Sequence, residues 1–502
     1  MSADAIMLDS DILEEFLQEF KDDKTAKELI KTIWQGLENV RELGSLLKVE
    51  EQIDDVIKRQ KDKRLDFFGE GTGKSWEQWK RDLLAALKRY YEKAAQTFDI
   101  NKQMFANEAC KGVQLLDLLE QRYDVVATNP PYMGNRLMDN TLAEKIKQIY
   151  PQNSLDIYAY FIERNIEFLK ENGYVSMITQ QSFMFTSSYE YLRKYVLDNL
   201  FLRSVAHLGP HAFEDIEGEK VNTTMFSIIK RKSEGNLSSF IKLTSSQNKS
   251  NDLKDIIHIP NNWFFTINQN EFKLVEGSPF AYWINDKIID VFQKNIKISD
   301  VAKVVAGMST GNNDRFLRFH WEIKTENDTS NKKWITYVKG GELNKYYGNI
   351  DTVIDWNPTE IKKFSGARIH GTKYFYKQGL TYTLLSSKGF NIRYLPKDCI
   401  FDHNGMCIFP NEPEMIIYLM GFLNSGLNNY LLNILNPTIS FTSENLLSLP
   451  LVIPNDCTKD KIILLTQNCV DLKKSLLQFA INDREFKQTA IQWGYNKAKG
   501  DN

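Results

Sequence analysis

The chain has 502 residues, of which 42% are hydrophobic, 25% charged and 12% aromatic. That is enough apolar material for a sizeable core over several domains, and it excludes a disordered chain, a collagen-like chain and a small disulfide scaffold. With 63 Lys and Arg against 65 Asp and Glu, the net charge is −2, so no global basic field announces nucleic acid and any basic surface must be local.

Five scattered cysteines (110, 399, 407, 457 and 469) read as reduced thiols of a cytoplasmic protein. The opening MSADAIMLDSDILEEF lacks the basic-then-apolar order of a targeting segment. No apolar run is long enough to span a membrane, so no membrane partner is expected.

Residues 1–100 read as a helical region. Ile12, Leu13, Phe16, Leu17 and Phe20 recur at helical spacing, as do Leu29, Ile30, Ile33, Trp34 and Leu37. Ser75 and Gln78 have capping-box spacing ahead of Trp76, Trp79, Leu83, Leu87 and Tyr90. Residues 1–60 hold 15 acidic and 8 basic side chains, a net −7, and are not expected to face phosphates.

The pattern then changes. Residues 123–127 (YDVVA) form a short β-branched run, the signal of a buried strand. A helix is predicted over 153–170, closed at 171–173 with Gly173 in a left-handed cap. Strands follow at 174–179, 201–208 and 222–230, with a helix at 189–200 between the first two. This alternation gives an α/β class with a mostly parallel sheet over 101–235. Residues 236–300 read as a connecting segment.

Residues 301–455 are β-rich, with a helix near 412–432. Over 301–410 there are 16 basic and 10 acidic residues, a net +6. The tail, 456–502, contains a last amphipathic helix marked by Ile462, Leu465, Cys469, Leu472, Leu476 and Phe479.

The chemistry sits at Asn129-Pro130-Pro131-Tyr132, directly after the 123–127 strand. Ligands of open α/β sheets bind at the carboxyl ends of strands. Two prolines stiffen the loop and remove two N–H donors, leaving their carbonyls as acceptors. The exocyclic amine of a nucleobase is a poor nucleophile because its lone pair is delocalised into the ring. Accepting its two N–H groups on the Asn129 side-chain oxygen and the Pro130 carbonyl favours a pyramidal nitrogen, and Tyr132 stacks on the ring. Positioning and fixed dipoles supply the effect. A base inside a duplex cannot reach such a loop, so the nucleotide is flipped out.

YDVVATNPPYMG (123–134) resembles the catalytic motif of adenine-specific DNA methyltransferases, Asn/Asp-Pro-Pro-Tyr/Phe. Residues 156–183 (DIYAYFIERNIEFLKENGYVSMITQQSF) resemble the stretch after that motif. The runs at 129–140 and 202–226 resemble the PglX-type methyltransferases of BREX phage-defence systems, and the likeness covers about 100–455.

The resemblance implies a partial Rossmann-like methyltransferase sheet, an N-terminal helical region and a C-terminal mixed α+β target-recognition domain, with segments at 307–317, 415–435 and 436–453. It also implies S-adenosylmethionine as cofactor, double-stranded DNA as partner and methyl transfer to adenine N6. Carried over residue by residue, Asn129 and Pro130 hold the target amine, Pro131 stiffens the loop and Tyr132 stacks on the flipped adenine.

That family also carries a Gly-rich turn after its first strand, and none stands upstream of residue 123 here. Two readings follow. The chain is a piece of a longer enzyme, or another chain supplies the cofactor-binding half, with other phage-defence proteins as further partners. In either case the alternative function is that of a DNA-recognition and assembly module without activity on its own.

GEGTGKS (69–75) falls one residue short of a phosphate-binding loop and follows no apolar strand. Cys399, His403 and Cys407 are too few for a zinc site. Gly209-Pro210 breaks any helix that would align His207 with His211. Lysines including Lys339 and Lys373 are interleaved with Tyr337, Tyr347 and Tyr374–Tyr376, a pattern suited to DNA phosphates as well as to a solvated β surface. Asn312, Asn313 and Arg315 are candidates to reach base edges.

Overall fold

A computed structural model describes residues 10–20, 23–37, 43–46, 48–68, 76–134, 137–151, 156–213, 221–323 and 334–499. The Gly-rich segment 69–75, with Ser75 of the expected cap, lies outside the described residues. The chain divides into two units, Met1–Phe183 with Tyr191–Gln269, and Met184–Glu190 with Asn270–Asn502.

The first unit begins with helices, as the apolar spacing predicts. Phe16, Leu29, Ile33, Trp34, Leu83 and Leu87 are buried together with Phe105, Val113 and Leu116 of the helix Ile100–Glu120. The same core takes in Ile146, Ile157, Tyr160 and Phe168, which lie beyond the first strand. The helical region is therefore packed with the sheet-bearing part and shares its core.

The sheet has six strands: β1 (Tyr123–Thr128), β2 (Leu169–Gln180), β3 (Phe201–Gly209), β4 (Thr223–Ile229), β5 (Leu237–Lys242) and β6 (Phe264–Asn268), ordered β1-β2-β4-β3-β5-β6. β1 runs parallel to β2 and β3 to β5, while β4 is antiparallel to both its neighbours and β6 to β5. This corrects the mostly parallel expectation: the chain returns from β3 and inserts β4 between β2 and β3 in the opposite direction. Residues 236–300, expected as a connector, contribute β5 and β6 to this sheet.

Two local expectations also change. The observed helix is Ile157–Glu167, capped by Asp156, and the positive-φ residue after it is Asn172 (φ 63), not Gly173. Gly173 is needed for close approach, because a Cβ there would meet three backbone oxygens within 3.1 Å, those of Lys170, Tyr123 and Asp124. β1, expected as a buried strand, is the edge of the sheet and leaves Val125 63% exposed. A β-branched run reports apolarity and cannot report whether a neighbouring strand is present.

His207 lies near the end of β3, 3% exposed, with Nε2 2.6 Å from Gln181 Oε1. Burial, with Lys242 and Lys249 nearby, pushes its pKa down to about 3. Between pH 6.5 and that value the unfolded chain binds a proton that the folded chain does not. Stability is therefore expected to fall as the pH drops through this window, by at most about 1.4 kcal/mol per pH unit from this group. Urea unfolding of the wild type and His207→Leu across that range checks it: the variant's curve should be shallower against pH by up to that slope.

The second unit holds two four-stranded sheets and a two-stranded ribbon. One sheet orders β14 (Cys399–Phe401), β10 (Trp334–Val338), β11 (Thr352–Asp355) and β9 (Leu317–Phe319). The other orders β13 (Ile392–Leu395), β12 (Gly379–Tyr382), β15 (Cys407–Pro410) and β8 (Ala302–Val305). The ribbon pairs β16 (Pro450–Leu451) with β7 (Ile296–Lys297). Helices Met415–Leu423 and Gly426–Leu435 join the same core. Cys399 and Cys407 are buried in strands, whereas His403 is exposed between them.

Candidate active site

β1 ends at Thr128, and the next four residues leave the sheet at its carboxyl end beside β2. Asn129 and Pro131 are exposed, Pro130 is buried and Tyr132 is half-buried. The loop thus presents the Asn129 carboxamide to solvent while Pro130 anchors it.

The Tyr132 hydroxyl is 3.2 Å from the Ile178 carbonyl oxygen on β2 and 3.3 Å from Asn129 Oδ1. It holds one proton and donates to one of these acceptors at a time. Burial, with the nearby Asp156 charge, pushes its pKa up to about 12, so it remains a donor at neutral pH. The Tyr132 ring meets Tyr158 edge-on at 6.3 Å, and the Tyr158 hydroxyl is 2.8 Å from Ser182 Oγ.

Asp156 fixes the far end of the loop. Its Oδ1 accepts the Met133 N–H at 3.1 Å and caps the helix Ile157–Glu167 through the Tyr158 N–H. Gly134 also bridges to Asp156 through the backbone. Burial raises the Asp156 pKa, opposed by backbone N–H donors from Tyr158, Met133 and Ile157. Sequence reasoning assigned Asp156 no role; its one available signal was an Asp directly before a helical run.

The helix is itself tied down. Arg164, 1% exposed, donates from Nε to Ser45 O at 2.9 Å, lies 2.6 Å from Glu50 Oε1 and reaches Glu167 Oε2 at 3.0 Å. Its guanidinium covers the Phe168 ring at 4.3 Å. Burial raises the Glu50 pKa against the pull of Arg164.

The expected base-reading and phosphate-binding residues fall in the second unit. The Asn312 oxygen accepts the Arg315 N–H and caps the short helix Asn313–Phe316. Asn313 Oδ1 accepts the Thr310 hydroxyl at 2.7 Å. Arg315 is 3.7 Å from Asp355 and covers the Phe316 ring. These three stand together, but their local bonds are those of a folded turn.

Lys339 follows β10, where the fully buried Arg393 donates to the carbonyls of Lys339 and Gly340. Lys373 lies elsewhere, over Tyr374. Tyr337, Tyr347 and Phe375, among the interleaved aromatics, are core residues.

In comparison with known proteins, the class of the likeness comes first: residues 13–213 match the family model of the Eco57I restriction-modification methylase. More particularly, the chain is a homologue of the PglX-type adenine-specific methyltransferases. It is 34% identical over 428 residues to adenine-specific methyltransferase BrxX of Escherichia coli O9:H4 (strain HS), covering 83% of this chain and 34% of that one. It is 33% identical over 356 residues to adenine-specific methyltransferase PglX of Lacticaseibacillus casei (strain Zhang), covering 66% and 30%. The chain therefore spans about a third of the length of these curated relatives. Among solved structures, the type IIL restriction-modification enzyme MmeI in complex with DNA aligns at 12% identity with a TM-score of 0.49, covering 93% of this chain and 69% of that one. No helix among the described residues is long and apolar enough to cross a membrane.

Proposed function

We propose that this chain carries the target-base site of an adenine-specific DNA methyltransferase acting in phage defence. The observation that carries the proposal is the exposed Asn129 acceptor at the end of β1, oriented by Tyr132 and fixed from behind by Asp156. An extruded adenine places its N6 amine against Asn129 Oδ1 and the Pro130 carbonyl, which accept its two N–H groups and so draw the nitrogen lone pair out of conjugation with the ring. Tyr132 confines the ring plane. The dipoles are set before the base arrives, so little reorganisation opposes the reaction. Asn312, Asn313, Arg315, Lys339 and Lys373 are proposed to meet double-stranded DNA, the lysines at phosphates and the others at base edges.

S-adenosylmethionine is the methyl donor this reading implies. Among the described residues no Gly-rich turn follows a strand beside β1, so no residue of this chain is assigned to it. Among the described residues one edge of β1 is free, which supports both readings, in which further parallel strands complete the crevice and bring the cofactor-binding half. These strands belong to a longer form of the protein or to another chain; without them, this chain acts as a DNA-recognition and assembly module.

The test is to incubate the chain with genomic DNA and labelled S-adenosylmethionine, alone and with the preceding portion of the L. casei relative. The label should appear as N6-methyladenine in the completed assembly. Label on the cytosine amine, or none in either mixture, would overturn the proposal.

A further inference from the structure

β2 runs on past the point where Tyr132 touches it. The paired register of β1 and β2 ends at Thr128 and Met177. The Tyr132 hydroxyl, close to both the Ile178 carbonyl and Asn129 Oδ1, sets the Asn129 acceptor beside Ile178. Side chains alternate across the end of β2 and into the turn after it. Met177, Thr179, Gln181 and Phe183 are buried, whereas Ile178, Gln180 and Ser182 are half-buried. The helix Ile157–Glu167 covers the buried side, with Asn165 Nδ2 3.5 Å from Met177 Sδ. Gln180 therefore stands on the same side of β2 as Ile178, about 7 Å further toward the carboxyl end.

The backbone here is fixed by several partners. Gln180 pairs with Thr223 of β4, and the Gln181 N–H donates to Asn222 O at 2.9 Å. Three buried side chains grip the next residues: His207 at Gln181 Oε1, the Tyr158 hydroxyl at Ser182 Oγ, and Arg193, whose Nη1 donates to Phe183 O at 2.9 Å. The Gln180 carboxamide makes no hydrogen bond among the described residues. A fixed backbone thus carries an uncommitted polar side chain beside the Asn129 acceptor.

The acceptors at 129 and 130 do not by themselves choose a base. Adenine N6 and cytosine N4 are both amines with two N–H groups, each beside a ring-nitrogen acceptor. The bases differ on the other side of the amine, where adenine has the N7 acceptor and cytosine a C5–H. A donor placed there is satisfied by adenine and left unpaired by cytosine. With both amine hydrogens taken by Asn129 and Pro130, only the donor half of the Gln180 amide finds a partner.

Resting on the target-base reading above, we propose that Gln180 selects adenine, its Nε2 donating to N7 of the extruded base. The test measures methylation by the completed assembly on duplexes carrying adenine or 7-deazaadenine at the target position. The analogue keeps N6 and N1 and replaces N7 by C–H. The wild type should show kcat/KM at least about tenfold lower on the analogue. Gln180→Leu and Gln180→Glu cannot donate there; both should lose at least that factor on adenine and no longer distinguish the two bases. Their unfolding midpoints and duplex affinity should be unchanged, because the side chain has no partner in the fold. Equal wild-type rates on both duplexes, or variants that still discriminate tenfold, would overturn this proposal and leave the target-base reading standing. No N6-methyladenine from the wild type would overturn both.

Discussion

Asn129→Ala should lower adenine methylation by at least about a hundredfold in the methylation-competent assembly, the scale on which one preorganised polar contact to a reacting centre acts. DNA retention in a mobility-shift assay should stay within about twofold, because the residues proposed to meet the phosphates lie outside this loop. The substitution removes the acceptor proposed for one amine N–H and leaves Pro130, Pro131 and the Asp156 anchor in place. Asn129 is exposed, so the fold should tolerate alanine, and an unchanged melting temperature is the control. A parallel loss of DNA binding would contradict the role assigned to this side chain.

The second large effect is on stability. Arg164→Ala strands Glu50 without its buried partner and is expected to cost about 3–5 kcal/mol, measured by urea unfolding. Glu50 already has a raised pKa because of its burial. Once unpaired it can accept a proton, so the penalty should shrink as the pH falls toward the carboxylate range. A double variant, Arg164→Met with Glu50→Leu, should recover most of the loss, since it removes both charges and keeps apolar bulk. The helix carrying Arg164 starts at the residue that holds the Met133 N–H, so the single variant should also loosen the 129–134 loop.

The loop at residues 129–132 was legible in the sequence because it is local. A strand, two prolines and an aromatic residue are consecutive, and their joint geometry follows from φ restriction alone. The positions of β2, β3 and β4 were also readable from short apolar runs between turn signals. Sheet order was not, because direction and neighbour choice depend on long-range pairing that no local pattern encodes. β4 looks like any buried strand until its pairing with both β2 and β3 is known.

The Asp156 contact spans 23 residues to Met133, and the Arg164 network reaches Ser45 across 119; neither separation leaves a periodic trace. The aromatics of the basic stretch show a different limit. Tyr337 and Phe375 are apolar core on one side of a strand or turn, and composition cannot tell a stacking platform from a core residue.

The bare margin of β1 has a practical consequence for handling the protein. Six residues present one row of backbone donors and acceptors with no neighbouring strand among the described residues, beside an exposed Val125. Natural sheets blunt such margins with charge, proline or short length. Here the guard is Asp124, itself neutralised by Lys170 at 2.9 Å. Purified on its own, this polypeptide is expected to be adhesive at that margin, and its solubility should rise when the strands proposed to complete the sheet are supplied, in a longer form of the protein or as a co-expressed chain.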